Sequence, residues 1–146
     1  MAPRIRTAPS AQSLLASSDA RIRYAVAGGP QAPERARTWL QSRVPWLPEE
    51  SRKQLLLLTS ELVTNAVRHG GAGEGERIGV AVWATESGVG VEVTDAGPGF
   101  TPTGRNDPIE DPGGWGLVLV ESMSDRWGVV RDQRTHVWFE LSAAAA

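Results

Sequence analysis

The sequence predicts an α/β two-layer sandwich, with a mixed, largely antiparallel sheet and helices packed on one face. Two patterns predict it. Five short segments alternate apolar and polar residues, which gives strands with one buried face. Three others repeat at helical spacing and are placed to cover that face. With 146 residues, 40% hydrophobic and 22% charged, the chain is expected to form one domain with a real core.

Ile22, Tyr24 and Val26 alternate with Arg21, Arg23 and Ala25, and this first strand ends at Gly28-Gly29-Pro30. Pro33 to Ser42 reads as a helix holding Trp39 and Leu40, and Pro45-Trp46-Leu47-Pro48 interrupts it. Pro48-Glu49-Glu50 opens a long helix to about Arg68. Proline suits a first helical turn, and the carboxylates face the positive end of the helix dipole. Gly70-Gly71-Ala72-Gly73 stops it. Ile78, Val80 and Val82 alternate with Gly79, Ala81 and Trp83; Val89, Val91 and Val93 alternate with Gly90, Glu92 and Thr94. Asp95 to Gly114 has no period and reads as a long loop. Gly114 to Met123 has helical character, and Trp127–Val130 with Val137, Phe139 and Leu141 close the chain as two strands. Residues 1–15 are expected to form a loose arm, 16–142 the folded domain, and 143–146 a disordered tail.

Composition excludes several function classes. A net charge of −2 supplies no global field for nucleic acid or anionic lipid. Without cysteine there is neither a disulfide nor a thiolate metal site. Residues 1–20 lack the apolar core of a signal peptide, and no stretch approaches a membrane span, so a cytoplasmic protein is the expectation. Lys53 is the sole lysine, among leucines and glutamines. A P-loop needs its lysine after a glycine loop, and a conventional protein kinase needs one on a strand. Gly28-Gly29-Pro30 is not a dinucleotide fingerprint. His69 and His136 are too few for a histidine-clustered metal hydrolase.

Three features point to a ligand. On the long helix, Leu55, Leu58, Leu62, Val63, Ala66 and Val67 define an apolar arc, and Glu61 and Asn65 stack at its edge, four residues apart. Asp95-Ala96-Gly97-Pro98-Gly99-Phe100 follows an apolar strand, where a carboxylate can accept a hydrogen bond from a ligand and glycines permit close approach. Gly113-Gly114-Trp115-Gly116-Leu117 runs into a helix N-terminus, whose N–H groups suit phosphate oxygens.

These three segments resemble the nucleotide-binding boxes of the gyrase, Hsp90, histidine-kinase and mismatch-repair ATPase superfamily. The run Glu61-Leu-Val-Thr-Asn65-Ala-Val-Arg-His69 and the closing Val137-Trp138-Phe139-Glu140-Leu141 resemble the bacterial anti-sigma regulatory factor serine/threonine kinases. The resemblance covers about residues 20 to 142 and implies a Bergerat-type ATP-binding fold with ATP and Mg²⁺ as cofactors. It implies Asn65 as an oxygen ligand to Mg²⁺ and Glu61 as the general base for an attacking hydroxyl. Asp95 would accept from the adenine amine, with Gly97 and Gly99 shaping that end of the pocket. Gly114, Gly116 and Leu117 would approach the phosphates. Thr101 to Gly113 would form a lid, with Arg105 as a candidate γ-phosphate contact and otherwise a solvated surface residue.

Some positions depart from the pattern. The family often has Gly-Thr or Gly-Lys-Thr before the last strand, where this chain has Gln133-Arg134-Thr135-His136; Thr135 is the candidate nucleotide contact. Trp115 stands where small or basic residues are common. His69 either touches the phosphates or caps its helix. Two function classes remain open: an ATP-dependent protein serine/threonine kinase, and a non-catalytic ATP-gated protein-binding module. The resemblance implies a sigma factor and an anti-anti-sigma factor as partners. Trp83 and Trp138, opposite the core face, suggest an exposed patch suited to a protein interface such as a homodimer, or else tryptophans shielding the sheet within one chain.

Overall fold

The computed structural model describes residues 21–69, 76–95 and 115–143. Strand β1 (Ile22–Ala27) is followed by helices α1 (Ala32–Arg43) and α2 (Glu49–His69). The hairpin β2 (Arg77–Ala84) and β3 (Gly88–Thr94) comes next, then α3 (Trp115–Met123), β4 (Arg126–Arg131) and β5 (Thr135–Ser142). The sequence pattern therefore predicts each of the described elements. The expected arm, the last three residues and the stretch 96–114 lie outside the described residues.

The strands form one sheet in the order β1-β2-β3-β5-β4. All four pairings are antiparallel, so no parallel pair occurs among the described strands. Alternation does the sorting. Val80, Val82, Val89, Val91, Val93, Val137, Phe139 and Leu141 turn to one face and pack with Leu40, Leu55, Leu58, Leu62, Val63 and Val120 from the helices. Each large side chain so buried contributes about 1.5–3 kcal/mol. The Pro45–Pro48 break works as expected: α1 ends at Arg43, and the Leu47 carbonyl accepts Arg52 Nη1 at 3.0 Å. Ile22 departs from the expected buried face of β1. It begins an edge strand, with a neighbour on one side only, and is exposed.

The opposite sheet face corrects one expectation. Trp83 and Trp138 lie there as alternation predicts, but they form no open patch: they are 6% and 0% exposed. This is the shielding alternative, and it removes the aromatic surface on which a homodimer was expected. Trp83 crosses its paired residue Gly90, where an added Cβ would collide with the indole. The Arg21 guanidinium sits 3.9 Å from the Trp83 ring centre, and Arg21 Nη1 pairs with Glu92 Oε1 at 3.3 Å. Both side chains are buried. Burial lowers the Arg21 pKa, and the Glu92 charge opposes that shift. Arg126 lies 5.6 Å from the Trp138 ring centre.

Two stability predictions follow from this face. Gly90→Ala forces the Trp83 ring to move and should cost about 1–3 kcal/mol in urea denaturation; an unchanged midpoint would mean the ring has room to spare. Glu92→Ala leaves the Arg21 charge buried without its partner and should cost about 3–5 kcal/mol. Replacing Arg21 by Met in the same protein should recover much of that loss, and no recovery would locate the damage elsewhere.

Candidate functional site

Helix α2 supplies the first group. Its apolar arc buries Leu55, Leu58, Leu62, Val63 and Ala66, and this packing fixes the rotation of the helix. Asn65 is thereby carried into the boundary and is 2% exposed. A polar side chain carried into a core boundary calls for a hydrogen-bonding partner. Glu61, one turn earlier, is half-buried. His69 is the last residue of α2, and its side chain lies outside the description.

The sheet supplies the second group. Asp95 follows directly on β3, and its N–H donates to the Thr135 carbonyl at 3.1 Å. The β3–β5 pairing thus continues one step past Thr94↔His136 and sets two buried polar residues side by side. This contact settles the register of Thr135. It begins β5 and adjoins Asp95, so the structure brings these two candidates together. Behind them, Thr94 Oγ1 lies 3.1 Å from His136 Nδ1. Glu92 Oε2 is 3.7 Å from the same nitrogen, and Asp132 Oδ1 is 3.1 Å from His136 Nε2. The nearby Glu92 carboxylate raises the His136 pKa above the usual histidine value, against the opposing effect of burial. The Asp132 carboxylate accepts the Arg134 N–H at 2.9 Å, which holds its pKa below the usual carboxylate range.

Helix α3 supplies the third. Gly116 and Leu117 occupy its first turn, and Leu117 packs against the core. Gly97, Gly99, Arg105 and Gly114 lie outside the described residues.

Connectivity relates the three groups. Seven residues link the end of α2 to the start of β2, and the start of β2 pairs with the end of β3 through Gly79↔Thr94. The C-terminal end of α2 is thereby seven residues in sequence from the strand end that pairs with the end of β3. Ser124 and Asp125 join α3 to β4 at its Arg126↔Glu140 end, so α3 begins toward the Asp95 end. Among the described residues no cluster of three or more His, Asp or Glu side chains could hold a metal, and no helix is long and apolar enough to cross a membrane.

Sequence reasoning assigned no site role to Arg21, Glu92, Asp132 or His136. A signal existed: period-two alternation places Glu92 and His136 on the same face of adjacent strands.

Comparison with known proteins agrees with this architecture. No curated protein matches the sequence. Among solved structures, a chain in the crystal structure of the SiaB-SiaC complex from Pseudomonas aeruginosa superposes with a TM-score of 0.57. The match covers 92% of this chain and 98% of that one at 13% identity, which makes it a likeness of fold. The family model of the histidine kinase-like ATPase domain matches residues 29–141. That match runs from the loop before α1 through β5, including every segment that carries a candidate site residue, and the chain belongs to the histidine kinase-like ATPase domain family.

Proposed function

We propose that this chain is an Mg·ATP-binding regulatory domain that acts as a serine/threonine protein kinase of the anti-sigma factor type. Membership of an ATPase family supports the nucleotide. The observation that favours the site is Asn65, a buried carboxamide on α2 one turn beyond the half-buried carboxylate of Glu61.

The donor set fits the ion. Mg²⁺ takes oxygen ligands, keeps several waters, and commonly shares one or two protein oxygens with substrate phosphates. The side-chain oxygen of Asn65 is the protein ligand in this reading. When bound, the ion spreads the charge of the phosphates and fixes their orientation. Asp95, buried beside Thr135, accepts the exocyclic amine of adenine, which a guanine carbonyl cannot satisfy. Gly97 and Gly99 flank the base, and Thr135 contacts the nucleotide. Gly114, Gly116 and Leu117 place backbone N–H groups near the phosphates at the start of α3. Arg105 is a γ-phosphate contact and His69 a phosphate contact or orienter of Asn65. Glu61 accepts the proton as a Ser or Thr hydroxyl of a protein substrate attacks the γ-phosphorus, and ADP departs. Positioning and charge neutralisation supply most of the acceleration in such transfers.

The partners in this reading are a sigma factor and, as phosphoryl acceptor, an anti-anti-sigma factor. A fold relative that crystallised within a two-protein complex supports a protein partner in general.

Glu61→Gln tests the enzyme. With ATP labelled at the γ-phosphate and a candidate acceptor protein, transfer should fall about 100- to 10,000-fold while calorimetric ATP affinity stays near wild type. If wild type binds ATP yet phosphorylates no acceptor, the domain is a non-catalytic ATP-gated binding module. Asn65→Ala tests the ion site: the gain in ATP affinity on adding Mg²⁺ should shrink by about tenfold. A gain equal to wild type would remove Asn65 from the metal.

A further inference from the structure

The proposed chemistry leaves unused a row of alternating charge on the helix-free face of the sheet. Arg21 pairs with Glu92 Oε1 at 3.3 Å. The other oxygen of Glu92 lies 3.7 Å from His136 Nδ1, and His136 Nε2 lies 3.1 Å from Asp132 Oδ1. Both ring nitrogens therefore face carboxylates. A neutral imidazole donates from only one nitrogen, whereas the charged ring donates from both.

The position of this ring matters more than its charge alone. Thr94, the last residue of β3, touches His136 Nδ1 through its hydroxyl at 3.1 Å. Asp132 and Arg134 form the turn between β4 and β5, closed by Asp132 N–H to the Arg134 carbonyl at 3.0 Å. His136 thus joins the end of β3 to that turn. Asp95 follows Thr94 and Thr135 precedes His136, and these two share the next backbone hydrogen bond. We propose that His136, clasped in its charged form between Glu92 and Asp132, is a positioning residue that fixes Asp95 and Thr135 for the nucleotide base. The inference rests on the reading of Asp95 and Thr135 as nucleotide contacts.

The groups facing His136 favour its charge. β3 presents Glu92, and the turn presents Asp132. Arg21 stands behind Glu92 and occupies that carboxylate's other oxygen. In the same cross-strand row, Ala25, Gly79 and Val130 are uncharged. Arg131 and Arg134 flank the turn and are exposed. The helices pack on the other face. The folded protein raises the His136 pKa, so the clasp is complete at low pH and is lost as pH rises through the folded midpoint. Nucleotide affinity should follow the same course.

The test is calorimetric ATP titration of the whole chain with saturating Mg²⁺ from pH 6 to pH 9, on wild type, His136→Gln and Asp132→Asn. Thermal unfolding is recorded alongside. Between the two limits wild-type affinity should weaken about fivefold more than that of His136→Gln, a coupling at the low end of the usual range. Asp132→Asn should move the wild-type midpoint to lower pH. Titration of ATP itself is common to all three proteins and cancels in the comparison. A second readout needs no variant. By reciprocity, saturating ATP should raise the His136 midpoint in an NMR titration of wild type by about 0.7 for a fivefold coupling, an effect that a purely structural role would not produce. Equal pH profiles in wild type and His136→Gln, or a midpoint unmoved by ATP, would overturn the proposal while leaving the nucleotide site intact. A wild type that binds no ATP at any pH overturns the nucleotide reading, and this inference with it.

Discussion

The pairing of β3 with β5 is the constraint on which the rest depends. Val89, Val91 and Val93 oppose Leu141, Phe139 and Val137, and this apolar face holds the helices. A slip of one strand by one residue would turn its three away from the core, so burial fixes the register firmly. The same register puts Glu92 and Thr94 within reach of His136, and it delivers Asp95 to the carbonyl of Thr135. Polar geometry at the strand end is therefore set by hydrophobic packing along the strand, several residues away.

The two faces of the sheet solve different problems. The helix face is apolar and carries most of the stability, in line with ordinary burial energetics. The other face holds Arg21, Glu92 and His136 beside two buried tryptophans, an arrangement in which desolvation offsets much of the Coulomb attraction. Hydrophobic residues of similar volume would stabilise that face at least as well. What the charges add is direction, since they align particular atoms of β3 with particular atoms of the β4–β5 turn. A charged clasp behind Asp95 and Thr135 has this use in either reading of the proposed function.

Much of this architecture was legible in the sequence, for identifiable reasons. Period-two valines in β2 and β3 and the leucine arc of α2 are decided by local repetition, and they read correctly. The burial of Asn65 on α2 and of Asp95 at the end of β3 was legible because each stands at the edge of an apolar pattern. Less was legible where distant residues meet. The burial of Trp83 depends on Gly90 lying across the strand pair and on Arg21 arriving from β1's start, and no local pattern encodes either. The His136 contacts need the β3–β5 register as well as the β4–β5 turn. Ile22 matched its local alternation, yet its exposure follows from β1 being an edge strand, a fact of sheet order.

The fold relative sharpens the difference between architecture and chemistry. At 13% identity a chain can keep the same sheet and helices, because these need a hydrophobic pattern and suitable turns more than particular residues. Chemistry needs particular atoms. In the proposed site those atoms are few: a carboxamide and a carboxylate one turn apart on α2, an aspartate and a threonine joined at a strand end, and a histidine behind them. Function follows from such groups and not from likeness of shape. Their common origin in one strand register and one helix rotation explains how so few positions can be set by a core that contains none of them.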